Sequence, residues 1–143
     1  MSKRKLVAFM SDRNMCRSLI AEAYLKRHGR DAFEAISFGI KPNRIHYLVH
    51  EVLTERGFNL NYYFSKRYEV IERQPFEILV LMHPSLKEKV PQISRQVESE
   101  VWEFEDPTVK DIPEAEMKKE IEKLADAIEA KVKAFIEKHR AAA

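Results

Sequence analysis

The stretch VAFMSDRNMCRSLIAEA, Val7 to Ala23, limits what this chain can fold into more than any other. Its first part continues Lys5 to Met10, a short apolar run bounded by polar residues, the pattern of a strand buried on both faces. After a polar loop, Leu19, Ile20, Ala23, Tyr24 and Leu25 recur on one helical face, and Gly29 ends the pattern. Strand, loop and helix in that order make the first half of a βα unit. Such a unit needs a parallel partner strand reached by a right-handed crossover, and ligands then sit at the carboxyl ends of the strands.

The alternation continues along the chain. Phe33 to Pro42 reads as a second strand interrupted by Gly39 and Pro42, and His46 to Phe58 as a helix closing at Gly57. Phe76 to Met82 is the most hydrophobic strand, and a short helix is bounded by Pro84 and Pro91. The mixed pattern of Val97 to Phe104 suits an edge strand. Met117, Ile121, Leu124, Ile128, Val132, Phe135 and Ile136 mark a long amphipathic helix from Glu114 to about His139. Residues 66–74, KRYEVIERQ, read as the most flexible stretch. The expectation is one α/β domain over residues 1–140, a parallel sheet with helices on both faces, and 141–143 as a vector-derived tail.

Charge and cysteine content narrow the function. Twenty-five basic against twenty-three acidic residues leave a net charge of +2 without a segregated basic block, so neither nucleic acid nor an anionic membrane is an expected partner. A single cysteine, Cys16, excludes an internal disulfide, and no apolar stretch approaches the ~20 residues that span a bilayer. A cytoplasmic location is the default expectation.

Between the strand end and the helix start, the loop from Ser11 to Ser18 can curl so that successive backbone N–H groups point inward, reinforced by the helix terminus. Asp12, Arg13, Asn14, Met15 and Cys16 would line such a nest. A nest of this kind binds a tetrahedral oxyanion. Arg17 adds a planar fork for two anion oxygens, Asn14 can tie the loop through its amide, and Ser18 can cap the helix or donate to position 11.

These residues carry a resemblance. SDRNMCRSLIAEA resembles the signature of the low-molecular-weight protein tyrosine phosphatases, and of the thioredoxin-coupled arsenate reductases that share their fold: Cys, five residues, Arg, Ser, then a helix. ISFGIKP is similar to the family's second strand, EVLTERGFNL to its second helix, FEILVLM to its central strand, and VWEFEDP to the segment ending in the Asp-Pro of the general acid. The resemblance implies a three-layer sandwich around a four-stranded parallel sheet of order 2-1-3-4. It puts Ser11 at the nucleophilic cysteine, Arg17 at the phosphate-binding arginine, Ser18 at the supporting hydroxyl and Asp106 at the leaving-group acid. The implied reaction is hydrolysis of a phosphomonoester, on a small molecule or a phosphotyrosine protein, through a phosphoenzyme and without a cofactor.

Ser11 departs from that pattern. A thiol there would ionise near neutral pH, whereas a hydroxyl without a base does not, so binding is expected to persist while turnover stops. A substituted phosphatase and a natural phosphate-binding module both fit this expectation. Arsenate reduction fits less well, because residues 17–143 hold no cysteine to resolve an arsenylated intermediate and an external thiol would be needed. Thr108 and Val109 replace the aromatics that follow Asp-Pro in the phosphatases, and the Asp12–Arg13 pair replaces an apolar residue and glycine.

Other residues read more plainly. Cys16 is expected as a buried small side chain and Trp102 as core packing. His46 and His50 have helical ligand spacing but no third ligand, so no metal is expected. His28, His83 and His139 read as surface or packing residues, and Tyr47, Tyr62 and Tyr63 as helix cover or the site entrance.

Overall fold

The computed structural model describes residues 4–141. Four strands, β1 (Lys5–Ser11), β2 (Phe33–Gly39), β3 (Ile78–Leu81) and β4 (Glu98–Val101), form a wholly parallel sheet of order β2-β1-β3-β4. The order agrees with the resemblance, and β4, with little buried surface, lies at an edge as its mixed pattern suggested.

Residue alternation along the strands divides the core in two. Val7, Phe9, Ala35, Ile78 and Val80 face α1 (Arg17–His28), α2 (Tyr47–Glu55) and α4 (Glu114–Ala141). Leu6, Ala8, Met10, Phe38, Leu79 and Leu81 face a thinner layer, built from α3 (Tyr68–Ile71) and the 3-10 helix Pro84–Lys89. Trp102 is buried, its ring 5.6 Å from that of Phe9 and 5.9 Å from that of Phe135, so it packs the end of β4 against α4.

Several boundaries differ from the sequence reading. β2 stops at Gly39, because Ile40 and Lys41 turn to donate their N–H groups to Asp12 O at 2.8 and 2.9 Å. The second helix is shorter, Tyr47–Glu55, with His46 as its N-cap through Nδ1. The stretch 66–74, read as flexible, contains α3. Its Ile71 is buried and its Tyr68 ring packs on Phe38 and Phe76 at 5.3 and 6.4 Å, contacts too distant in sequence to appear as periodicity. Ala141, read as part of a tail, is helical, and residues 142 and 143 lie outside the described residues.

Helix α1 also differs from a one-sided amphipathic helix. Every residue from Arg17 to Leu25 is buried, Glu22 included, because the sheet, α4 and the loop before it enclose the first turns from all sides. Only its basic end, Lys26 to His28, opens toward solvent, where cations complement the carbonyl end of the helix dipole. Among the described residues no helix is long and apolar enough to cross a membrane.

Candidate functional site

The loop between β1 and α1 is shaped from outside. The carbonyls of Asp12, Arg13, Asn14 and Met15 all turn away from the loop centre. Asp12 O accepts from Ile40 and Lys41, Arg13 O from Asn43 N at 3.0 Å and Ser65 Oγ at 3.0 Å, Asn14 O from Ser65 Oγ, and Met15 O from His46 N at 3.2 Å. With its carbonyls held outward, the loop presents N–H groups inward beside the open N-terminus of α1, where Cys16, the capping residue, makes no side-chain cap.

Two local features make the curl work. Asn14 has a φ of 52°, the left-handed region that asparagine tolerates better than most residues. Gly39 lies against it, and a Cβ there would stand 2.7 Å from Asn14 N and 2.8 Å from Arg13 C. Read in sequence as a strand breaker, Gly39 is where β2 admits the loop's backbone.

Hydrogen-bond directions inside the loop follow from one buried carboxylate. Glu22, 5% exposed and ion-paired to Lys26 Nζ at 2.7 Å, can only accept, so the Ser37 hydroxyl donates to it. Ser37 Oγ then accepts from Asn14 Nδ2 at 3.0 Å, while Asn14 Oδ1 accepts from Lys66 N at 2.9 Å, which fixes the amide's orientation. The second Nδ2 proton goes to Ser18 Oγ at 2.8 Å, and Ser18 Oγ shares a 2.6 Å hydrogen bond with Ser11 Oγ in which either hydroxyl can donate. Ser11 Oγ also accepts from Asn14 N at 3.1 Å. Position 11 therefore receives one fixed donor, the Asn14 N–H, and shares a second hydrogen bond with Ser18. Ser18 serves position 11 and does not cap the helix.

Arg17 is 7% exposed, donates from Nη1 to Phe104 O at 2.9 Å, and holds Nη2 at 4.0 Å from Asp106 Oδ2. Asp106 begins the 3-10 turn Pro107–Val109, and its Oδ1 accepts from Thr108 N at 2.9 Å and Thr108 Oγ1 at 2.5 Å. It is thus a turn residue that also faces Arg17. Burial, seconded by the Asp106 charge and opposed by Arg17, pushes the Cys16 thiol far up, so the single cysteine is kept protonated.

His46 is held below its usual range by burial, against the nearby Asp106 charge, and its Nδ1 accepts from Leu48 N at 3.2 Å. His50 Nδ1 lies 3.5 Å from Thr54 Oγ1. His28 and His139 are less solitary than the sequence suggests: His28 Nε2 lies 2.7 Å from Glu129 and His139 Nε2 2.9 Å from Glu100. Tyr47 and Tyr62 are strongly exposed.

Sequence reasoning missed Glu22, Ser37, Gly39 and Ser65. Only Glu22 left a signal, a charge within the apolar part of α1 with Lys26 one turn later; the others act through contacts between distant segments.

Fold and site together define an α/β protein whose 11–18 loop lies at the carboxyl end of its first strand. The model of the low molecular weight phosphotyrosine protein phosphatase family matches residues 6–142, and the chain belongs to that family. An arsenate reductase of Bacillus licheniformis is 26% identical over 134 residues, covering 94% of this chain and 96% of that protein. The structure of a thioredoxin-dependent arsenate reductase from Corynebacterium glutamicum, 25% identical, superposes with a TM-score of 0.76 over 99% of this chain, which spans 65% of that protein's length. A low molecular weight protein tyrosine phosphatase from T. tengcongensis, 21% identical, has the same fold, with a TM-score of 0.71 over 94% of this chain and 99% of its own.

Proposed function

We propose that this protein binds a tetrahedral oxyanion, phosphate or a phosphomonoester such as phosphotyrosine, in the 11–18 loop. Its framework is laid out for hydrolysis by a sulfur nucleophile at position 11. The observation that carries the reading is the pair of hydrogen bonds at Ser11 Oγ, one donated by Asn14 N and one shared with Ser18 Oγ. A thiolate at that position can only accept, so the Ser18 hydroxyl, the Asn14 N–H and the buried Arg17 nearby would stabilise it. With cysteine in place, sulfur attacks phosphorus as the ester P–O bond breaks, and Asp106 gives its proton to the leaving oxygen. Asp106 then takes a proton from water as water displaces sulfur and releases phosphate.

With serine the first step fails, since neither neighbour of Ser11 Oγ is a base. The Ser11 proton serves instead as one more donor to the bound anion, so the chain as written binds without turnover. Calorimetry with phosphate and hydrolysis of p-nitrophenyl phosphate, on this protein and on Ser11→Cys, test the reading. Binding by both and turnover only by Ser11→Cys supports it. No phosphate binding by either protein overturns the nest, and binding without turnover by Ser11→Cys favours a dedicated binding module.

A second reading is arsenate chemistry, favoured by the names of the curated relatives. The chain's one thiol, on Cys16, is buried and held protonated, so reduction would draw its thiol from outside the chain. Arsenate-dependent oxidation of glutathione or thioredoxin by Ser11→Cys, in the absence of phosphatase turnover, would select this reading.

A further inference from the structure

The outer edge of β2 carries a groove that the oxyanion site does not use. It has a volume of about 430 Å³ and lies along Phe33 to Ile36, toward the end of the sheet opposite the nest. Strand residues alternate the direction of their backbone groups. Gly39 N donates away from β1 to Lys66 O at 2.8 Å, and Phe33 N donates to Gly29 O at 2.8 Å. Residues 33, 35, 37 and 39 therefore form the outward set. Between its two tied ends, Ala35 presents an N–H and a C=O with no hydrogen-bond partner among the described residues. The only pairing on this edge is an isolated bridge from Gly39 to Arg67. An open stretch of strand edge is a template for another strand.

The groove straddles that edge. Lys26 and Arg30 stand on the α1 side, with the side chains of Phe33 and Ala35; Arg4, Leu6, Ile36 and Gln74 stand on the other. Of the three cations in its lining, Arg4 engages Glu34 at 3.1 Å and Lys26 engages Glu22 at 2.7 Å. Arg30 has no acidic partner among the described residues, and its side chain is free to meet one.

We propose that this groove accepts an extended peptide of alternating acidic and apolar residues, which joins the sheet as a fifth strand beside β2. Its main chain would pair with Ala35. Its acidic side chains would face Arg30, and its apolar ones Ile36 and Leu6, since alternate residues of a strand fall on opposite faces. Ala35 is 4% exposed, so the long side chains of the wall must part for the peptide, as flexible lysine and arginine stems can. A second copy of this chain is disfavoured as the occupant, because pairing β2 with β2 would bring the unpaired Arg30 of both copies to one seam.

The probe is a blocked heptapeptide of alternating glutamate and valine, titrated into the full chain by NMR with amide exchange followed at Ala35. Saturable binding is expected, with the Ala35 amide protected about tenfold or more by the peptide and affinity about tenfold lower in Arg30→Glu. Phosphate affinity at the 11–18 loop should be unchanged in that variant. A peptide N-methylated on its pairing edge should not bind. The proposal is overturned if the glutamate–valine peptide fails to bind, or if the N-methylated or a lysine–valine peptide binds equally well. It is also overturned if Ala35 becomes protected with rising protein concentration alone, which would mean self-pairing.

Discussion

The loop from Ser11 to Ser18 is tied to β2, to residues 40–46, to Ser65 and Lys66, and through Ser37 to Glu22, whereas Asp106 on the facing wall is tied to its own neighbour Thr108 and stands 4.0 Å from Arg17. The loop's partners lie up to 87 residues away, at Phe104, so its shape is a property of the whole fold. The shape of the Asp106 turn is local. Anion binding needs donors already in place before the ligand arrives, because reorganising them would cost affinity. A general acid needs only to reach one oxygen when the bond breaks. Substitutions on the loop should therefore change folding and binding together, and substitutions at Asp106 should change turnover alone.

The largest expected effect is on the Asp106 side. In a Ser11→Cys background, Asp106→Asn should lower kcat for p-nitrophenyl phosphate by about 10²–10⁴-fold, the usual worth of a positioned acid. The amide keeps an oxygen for Thr108, so urea-unfolding stability should stay within about 0.5 kcal/mol. A comparable loss of stability would mean that the wall is not local after all.

Next come the loop and its neighbour. Asn14→Ala leaves Ser18, Ser37 and the Lys66 N–H each short of a buried partner and puts alanine at a φ of 52°, so a loss of about 3–4 kcal/mol is expected, together with phosphate binding. Gly39→Ala forces a Cβ to 2.7 Å from Asn14 N and should cost about 1–3 kcal/mol by pushing the loop off β2. A Gly39→Ala protein with full phosphate affinity would show that the nest tolerates displacement.

Arg17→Lys is a smaller change. It keeps the charge but loses the fork, and phosphate affinity should fall about ten- to hundredfold, or about 1.4–2.7 kcal/mol, in calorimetry.

The same division explains what could be read from sequence. β1, β3, α4 and the edge position of β4 were legible because their patterns are local: apolar runs, helical spacing, mixed exposure. The position of the 11–18 loop was legible for the same reason, since strand, polar loop and helix are contiguous. Its tuning was not. Ser37, Ser65 and Glu22 meet Asn14 only after β2 and residue 65 are brought alongside the loop, and Asn14's positive φ depends on the gap that Gly39 leaves. The α3 turn was read as flexible because its anchors, Phe38 and Phe76, lie in other elements. For Asp106 the turn chemistry was visible, and the approach to Arg17 depends on Phe104 crossing back over the first βα loop.

The far edge of the sheet offers a control for the comparison. Glu100 on β4 also gathers partners from a distant element, His139 Nε2 at 2.9 Å and Lys138 Nζ at 3.1 Å, beside Trp102 Nε1 at 3.1 Å, yet none of these groups touches the nest. Burial alone would raise its pKa, but the hydrogen bonds from His139, Trp102 and Lys138 outweigh burial and hold it below the ordinary 4.5. On acidification the unfolded chain therefore takes up this proton before the folded one does. The carboxylate's contribution to stability is complete above about pH 4.5 and is lost as pH falls through the lower folded value. Glu100→Gln should accordingly be less stable at pH 7, with the difference from the parent shrinking toward pH 3, while phosphate affinity at pH 7 is unchanged. Urea titrations at the two pH values and one calorimetric titration measure both. If Glu100→Gln weakens phosphate binding, then long-range ties in this fold affect the nest wherever they occur, and the contrast between the loop and Asp106 reflects stability alone.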